Sequence, residues 1–251
     1  MMIVFISFLI LAALTFSFRN TRARSLARGV ADWVLDGSGL LVQGVAVPAL
    51  QAGLVYGLLN ILTPDANGIL NLSWPVTFLL NFVVIDYIYY WNHRLLHSKA
   101  LWNTHAVHHT PQMADVFITS RNTLWTPLLI VYVWANGAFL FLLKDPYPFL
   151  LSASITAGLD MWRHTSFAPG PGSSIHRAIA LLLITPNEHM WHHSSDRAER
   201  NFGANLSVWD RIHGTYYSPV NRPERLGIPS VMDLKHQLLF PFKHRKPRLE
   251  L

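Results

Sequence analysis

The sequence predicts an all-α protein, namely a multi-pass transmembrane helical bundle of about four to five spans or hairpins with a helical cap on its cytoplasmic side. The first observation is composition: 51% of the 251 residues are hydrophobic and only 14% are charged, which is unlike a soluble domain. The second is that uncharged stretches approaching the ~20 residues needed to cross a bilayer recur along the chain. The third is that eight of the 13 histidines fall within 93–109 and 189–193 at helical spacings.

Charged residues separate the predicted membrane elements. We take 1–18 as the first transmembrane helix rather than a secretory signal, because no positively charged segment precedes its apolar run. Residues 37–92 and 122–160 are predicted to form further membrane helices or hairpins. The last stretch, 146–159, is short for a crossing, so 122–160 could also be a re-entrant pair that does not traverse the bilayer.

Basic residues predict the orientation of these elements. The arginines that directly follow the first helix are Arg19, Arg22, Arg24 and Arg28. Since an excess of basic residues marks the cytoplasmic side, the amino terminus is expected to face outward. Alternation of the spans then places 93–121 and 161–220 together as a cytoplasmic cap that carries the histidines. All of these parts are expected to form a single integral-membrane domain, 1–251, in a bacterial inner membrane or the endoplasmic reticulum.

The net charge of +6 does not indicate a nucleic-acid partner. The basic residues lie in the loop 19–28 and in a basic C-terminal tail, 221–251, which is the pattern of positive loops beside anionic lipid. The chain has no cysteine, which excludes disulfides, thiolate-ligated haem and cysteine-held iron–sulfur clusters. Any metal must therefore be bound by nitrogen and oxygen.

The clustered histidines form three sets whose spacing places each set on one face of a helix. The sets are His93 and His97; His105, His108 and His109; and His189, His192 and His193. For the last set, Thr185 and Glu188 predict a capping box with Pro186 in the first helical position. For the middle set, Asn103 or Thr104 could cap a helix that Pro111 ends.

Eight imidazoles are too many for one four- to six-coordinate ion, so the sequence predicts a histidine-rich di-metal site. Neutral imidazole is the commonest protein metal ligand and suits zinc, copper, iron and nickel. A structural zinc pair is one alternative. A di-metal centre without sulfur at the mouth of an apolar bundle suits O2 activation and attack on C–H bonds instead, and iron is the metal for that chemistry.

Three carboxylates lie close to these histidines in the sequence and could orient a histidine N–H group: Asp86, Asp160 and Asp196. The alternative for each is an interfacial carboxylate paired with an arginine. Arg121 is expected to be an interfacial anchor, although it could also hold a substrate head group. The turn 209–211 is expected to be a structural clasp in which Asp210 and Arg211 can pair.

The pattern resembles the fatty acid hydroxylase and sterol desaturase family of membrane di-iron oxygenases. The matching stretches are 86–97 (DYIYYWNHRLLH), 101–109 (LWNTHAVHH), 185–193 (TPNEHMWHH), 201–203 (NFG) and 209–211 (WDR). The resemblance implies metal-ligand roles for the eight clustered histidines and for His164, with no catalytic residue separate from the metal site. Ser166 stands where many relatives have asparagine. His213 stands where relatives have phenylalanine, and we expect it to be a surface residue, as we do His176, His236 and His244.

The resemblance also implies a function: hydroxylation or desaturation of an aliphatic C–H bond of a lipid, with O2 as co-substrate and two iron ions as cofactor. The lipid could be a sterol, a fatty acyl chain, an alkyl ether or a carotenoid, and zinc could replace iron in purified protein. No cytochrome b5-like segment is recognisable, so we expect a separate electron donor of the cytochrome b5, ferredoxin or reductase type. The alternative function is a histidine-rich membrane metal-binding protein or metal transporter. A zinc hydrolase would need a His-Glu-x-x-His helix, which the sequence lacks.

Overall fold

The fold is helical throughout the part of the chain that the structure describes. A computed structural model describes residues 2–196, 199–230 and 232–242, and within them it contains helices and three isolated β-bridges but no strand. The all-α prediction is therefore confirmed over these ranges. The basic run 243–248 of the predicted tail and His244 within it lie outside the described residues.

The first three helices form the amino-terminal part of the fold. Helix α1 (Met2–Ser17) is apolar, and the basic helix α2 (Arg19–Leu26) bends away from it by 98°. Helix α3 (Val30–Leu62) is 33 residues long and contains two π-helical segments, Val42–Ala46 and Leu50–Tyr56. It begins before Asp36, so this carboxylate lies inside the helix rather than at the expected boundary of a span.

Within the described ranges, α3 alone is both long enough and apolar enough to cross a membrane. If the bent pair of α1 and α2 is treated as one broken span, the number of candidate spans is two. Just 6% of its apolar window is buried inside the protein, so most of that surface is available to lipid. Helix α1 alone has 16 residues, which is less than the ~20 that a crossing needs.

Helix α4 covers residues 74–96 as three contiguous segments, with a π-helical part (Leu80–Ile85) between two α-helical parts. The predicted membrane region 37–92 ended before His93, but the helix continues to Leu96. The apolar segment and the first histidines are therefore parts of one helix, on which Asp86 and His93 are both buried. His97 follows directly as the C-cap residue.

The predicted membrane region 122–160 contains two shorter helices. After short helix α5 (Trp102–His105), helix α6 (Val131–Leu142) has 12 residues and helix α7 (Tyr147–Arg163) has 17. These lengths favour the alternative of a hairpin that does not fully traverse the bilayer. Gly137 allows α6 to approach α3, because a Cβ atom there would lie 2.6 Å from the Cβ of Val55.

The remaining helices of the described residues are short and follow α7 in the chain. They are α8 (Ser174–Ala180), α9 (Pro186–His192), α10 (Val208–Ile212) and α11 (Leu234–Leu239). The predicted capping box of α9 is confirmed: Glu188 Oε2 accepts from Thr185 N at 3.1 Å, and the Thr185 side chain caps the first turn. The capping prediction for the middle set is wrong, since α5 begins at Trp102 after Leu101 and no side chain caps it.

A loop from the carboxyl-terminal part crosses both histidine segments. Gly227 N donates to His193 O at 2.9 Å, and Ile228 N donates to His109 O at 2.8 Å. Gly227 has φ 78°, and a Cβ atom on it would lie 2.4 Å from Pro111 O. Glycine is therefore required at this crossing, both for its left-handed conformation and for the close approach.

Candidate metal centre

Nine buried histidines form two groups, and within each group the ligand nitrogens all lie within 4.8 Å of one another. The five-histidine group contains His93, His97, His105, His109 and His192, and the four-histidine group contains His108, His164, His189 and His193. None of the nine side chains is more than 7% exposed. All of the histidines predicted as metal ligands are thus close together, in a pattern that the spacing alone did not predict.

The groups cut across the three sequence sets. His192 joins the five-histidine group although its neighbour His193 joins the other, and His108 and His109 diverge in the same way. Both sets split in the same way: the two residues four positions apart share a group, and the residue between them joins the other group. This happens both at the 3₁₀ turn Ala106–His109 and on the α-helix α9. The prediction that each set points all its imidazoles one way is therefore wrong for these two sets, whereas His93 and His97 do share a group.

Backbone carbonyl groups orient four of these imidazoles. In the five-histidine group, the ring Nδ1 atoms of His93 and His192 lie 2.8 Å from Phe202 O and 2.7 Å from Arg200 O. A carbonyl oxygen can only accept a hydrogen bond, so each Nδ1 carries the proton. In the neutral ring, Nε2 then carries the lone pair that a metal ion needs.

The four-histidine group is oriented in the same way. His108 Nδ1 lies 3.1 Å from Arg121 O, and His164 Nδ1 lies 2.7 Å from Asp160 O. Burial lowers the pKa of His108 to about 3, and the neighbouring His164 adds to this effect. Burial likewise lowers the pKa of His164. Both rings are therefore neutral near pH 7, which is the protonation state of a metal ligand.

The resulting contacts fit a cation better than a hydrogen-bond network. His108 Nε2 and His164 Nε2 are 3.3 Å apart, and because both Nδ1 atoms donate elsewhere, these two nitrogens present lone pairs to each other. In the five-histidine group, His192 Nε2 and both ring nitrogens of His109 have no hydrogen-bond partner among the described residues. Such buried polar atoms cost about 1–3 kcal/mol each when left unsatisfied, and a bound metal ion would satisfy them.

The two carbonyl groups that orient His93 and His192 belong to one short segment, 200–203. Between them lies Asn201, which has φ 54°, a left-handed conformation that asparagine tolerates. Its side chain donates to Glu188 O at 2.9 Å and accepts from Tyr217 N at 2.8 Å. Asn201 thus fixes the turn that directs the carbonyl groups on both of its sides.

Asp210 anchors the same segment. Its carboxylate accepts from Phe202 N at 2.8 Å, from Gly203 N at 2.7 Å and from the Thr215 hydroxyl at 2.7 Å. Arg211 does not pair with it, as the sequence suggested, but donates to Ala180 O at 2.9 Å. The turn 209–211 therefore has the expected structural role, but through Asp210, which holds the backbone segment that orients His93.

Arg121 is buried rather than interfacial, which corrects its expected role. Its side chain is 2% exposed and pairs with Asp36 at 2.6 Å and with Asp32 at 2.8 Å, both of them on α3. Its carbonyl group orients His108. The long apolar helix α3 is thereby connected to a candidate metal ligand, and the one sign of this in the sequence is Asp36 within an apolar stretch.

The three candidate carboxylates differ in position. Asp86 accepts from Asn205 N at 2.8 Å and from the Trp209 indole at 2.8 Å, so it holds backbone and indole groups rather than an imidazole. Asp160 orients His164 through its carbonyl group, while its carboxylate lies 3.5 Å from His164 Nδ1. Asp196 is exposed and accepts from the Ser195 hydroxyl at 2.9 Å.

The other histidines lie outside both groups. His176 was expected at the surface but is 2% exposed, because its Nε2 lies 2.9 Å from the buried carboxylate of Glu188. His213 is partly buried and stacks on Tyr90 with ring centroids 5.1 Å apart. His236 contacts Asp233 near the surface at 2.7 Å. None of these three side chains is a candidate ligand in the described structure.

Comparisons with known proteins identify related sequences. The family model described as fatty acid hydroxylase matches residues 78–215, which include all nine grouped histidines. The chain is 34% identical over 190 residues to an ornithine lipid hydroxylase from Rhizobium tropici, covering 71% of this chain and 54% of that protein. It is 28% identical over 151 residues to alkylglycerol monooxygenase from Homo sapiens, covering 58% of this chain and 32% of the relative.

A more distant similarity is 24% identity over 155 residues to a very-long-chain aldehyde decarbonylase from Oryza sativa, covering 56% of this chain and 23% of that protein. The chain thus spans about half the length of the first of these curated relatives and less of the other two. No solved structure is detectably similar to this chain.

Proposed function

Because this chain belongs to the fatty acid hydroxylase family, we propose that it is a membrane-bound di-iron oxygenase that hydroxylates or desaturates an aliphatic C–H bond of a lipid. In hydroxylation, one atom of O2 enters the C–H bond and the other leaves as water, with two electrons from a donor and two protons. In desaturation, two hydrogen atoms leave neighbouring carbons and O2 is reduced to two water molecules, again with two donor electrons.

The observation that carries this proposal is the pair of buried histidine groups, in each of which the ring nitrogens of several histidines lie within 4.8 Å of one another. Nine nitrogen ligands and no thiolate suit two ions of iron, although zinc, copper and nickel also accept imidazole. When bound, two iron ions would supply the O2 activation and the electron transfer that the side chains themselves cannot perform.

The protein's own residues would bind the metal ions, orient the imidazole rings and exclude water from the centre. The four carbonyl groups of Asp160, Arg121, Arg200 and Phe202 hold imidazole rings in the tautomer that presents Nε2. Burial of the nine rings excludes bulk water from the centre, which protects an oxidising site from side reactions. Rigid carbonyl partners of this kind support metal affinity in proteins, and their loss typically costs 10–100-fold in affinity or activity.

We assign the chain to the membrane as a multi-pass protein with its histidine groups on the cytoplasmic side. Helix α3 supports membrane insertion by its length and apolar surface. The three arginines of α2, together with Arg28, support the orientation because they follow α1. The bent helix α2 would lie along the membrane surface. Helices α6 and α7 would form a hairpin that enters the bilayer and returns.

The substrate class that we propose is a lipid, as the names of the relatives suggest for those proteins: an ornithine lipid, an alkylglycerol and a fatty acid. The electron donor is proposed to be a separate protein of the cytochrome b5, ferredoxin or reductase type.

Lipid profiling of cells with and without the gene tests the activity, with His108→Ala and His192→Ala as variants, one from each histidine group. The gene is expected to convert a membrane lipid to its hydroxylated or desaturated product, and both variants should abolish this product while the protein still inserts into the membrane. Product formation that persists in either variant would remove that histidine from the active centre. Metal uptake into cells without any change in lipids would favour a metal transporter instead.

A further inference from the structure

A cavity beside the four-histidine group consists of two adjoining pockets that have four lining residues in common. Its inner part, about 10 Å³ in volume, is bounded by His164, His189 and His193 together with Arg163. A larger outer part of about 250 Å³ shares the residues Met113, Ala114, Met190 and Leu226 with it. The shared residues border both parts, and the two methionines among them have flexible side chains that can move aside.

Arg163 lines the inner part of this cavity, and its side chain has no role in the function proposed above. The residue is 3% exposed, and its Nε donates to Asp160 Oδ1 at 2.9 Å. Its Nη1, however, has no hydrogen-bond partner among the described residues. A buried guanidinium donor normally has a partner, so an unpartnered Nη1 on a residue that lines the inner part of the cavity indicates an acceptor that arrives with a ligand.

The charges around Arg163 indicate which kind of acceptor this is. Asp160 already neutralises the guanidinium, so a second carboxylate is not needed and a neutral oxygen is sufficient. The outer part of the cavity is polar as well, because Arg24, Arg222 and Glu224 line it. A bare hydrocarbon chain would be a poor occupant of this space, whereas the polar end of a lipid would be a good one.

We propose, resting on the function proposed above, that this cavity binds the oxygen-bearing polar end of the substrate. Arg163 Nη1 donates a hydrogen bond to an ester, amide, ether or hydroxyl oxygen that lies within a few bonds of the carbon to be oxidised. Arg163 is thus a specificity-determining residue that selects an oxygen-bearing lipid and sets which carbon faces the four-histidine group. The polar head group occupies the outer part of the cavity, beside the interfacial helix α2.

Binding of two probes tests the selection directly: 1-O-hexadecylglycerol, which carries ether and hydroxyl oxygens, and hexadecane, which carries none. Both are titrated anaerobically into purified, metal-containing protein in detergent, with tryptophan fluorescence as the readout. Wild-type protein should bind the glycerol ether about tenfold or more tightly than the alkane, as expected for a charge-assisted hydrogen bond. The control Arg177→Gln, an exposed arginine that contacts Gly172 and Ser174, should keep this preference.

Two variants remove the donor in different ways. In the double variant Arg163→Met with Asp160→Asn, no charge is left unpaired, and the carbonyl group of residue 160 still orients His164. The preference for the glycerol ether should fall to about twofold or less. Arg163→Lys keeps the ion pair with Asp160 and is the test variant if the double variant does not fold. It should lose part of the preference for the glycerol ether over the alkane. An unchanged preference in a folded variant with wild-type metal content would overturn the role of Arg163.

The position of oxidation separates this inference from the proposed function. Lipids oxidised by wild-type protein should carry the change within a few carbons of an oxygen substituent, and Arg163→Lys should spread it to other carbons. Oxidation deep in the hydrocarbon chain by wild-type protein would contradict the inference but leave the oxygenase function standing. Arg163-dependent probe binding by a protein that oxidises no lipid would contradict the function but leave the binding site standing.

Discussion

Replacing Asp210 by asparagine tests how the clasp supports the metal centre. The carboxylate is fully buried and accepts three hydrogen bonds, from Phe202 N, Gly203 N and the Thr215 hydroxyl. Asparagine has one acceptor oxygen and places an NH2 group where the second oxygen was. That NH2 group must face a backbone N–H, so at least one buried donor loses its acceptor.

The magnitude follows from these contacts. One buried N–H without an acceptor costs about 1–3 kcal/mol, and loss of the negative charge weakens each of the remaining two bonds by about 1 kcal/mol. Burial raises the pKa of Asp210, which means that desolvation of the carboxylate offsets part of what it contributes. We therefore expect Asp210→Asn to destabilise the protein by about 2–4 kcal/mol.

The effect should extend to the metal centre, because Phe202 O orients His93. Movement of this carbonyl group is expected to lower metal affinity by about 10–100-fold. Thermal unfolding in detergent measures the stability, and elemental analysis after dialysis against a weak chelator measures the retained metal. The control Asp65→Asn changes a carboxylate in the exposed turn Pro64–Ala66 and should alter stability by no more than about 0.5 kcal/mol. Wild-type stability and metal retention in Asp210→Asn would refute the reasoning.

Three further predictions concern the same framework. Asp86→Ala should destabilise the protein by about 2–5 kcal/mol, because the buried N–H groups of Asn205 and Leu206 lose their acceptor; a melting temperature equal to that of wild type would contradict this. Gly227→Ala should destabilise by about 1–3 kcal/mol, since it combines a left-handed backbone with a clash against Pro111 O, and thermal unfolding again measures the change. Removal of metal by a strong chelator should lower the melting temperature of wild-type protein, and restoring the metal should reverse the loss.

Several features of this protein were predictable because they depend on short stretches of sequence. Apolar composition and spacing indicated helices, and the Thr185 capping box specified where α9 begins. The density of histidines predicted that they would come together, and the chemistry of imidazole predicted what they could bind. These inferences need no knowledge of which distant segments meet.

The partition of the histidines could not be predicted, because positions three and four apart lie on the same broad face of a helix and the spacing does not say which ring meets which distant partner. In the structure His108 separates from His105 and His109, and His192 separates from His189 and His193. The partners of the rings were also hidden, since they are carbonyl groups, which every residue has. Arg200 and Phe202 orient histidines through their backbone, and no side-chain pattern marks this role.

Buried charge was the other source of error. Arg121 and His176 were assigned to the surface because arginine and histidine usually lie there. Each is buried because a specific carboxylate from another part of the chain, Asp36 or Glu188, meets it. His176 and Glu188 are 12 positions apart in the sequence, and Arg121 and Asp36 are 85 apart. Tertiary structure decides such pairings, so a single sequence does not disclose them.

The measurement that tests the central claim most directly is the number of metal ions per chain in purified protein, determined for wild type and for one variant in each histidine group. The two-group arrangement predicts two ions in wild type and about one in both His109→Ala and His189→Ala, with the remaining ion still bound by the intact group. A well-folded wild-type protein that holds one ion or none would contradict the di-metal centre, whichever metal is found.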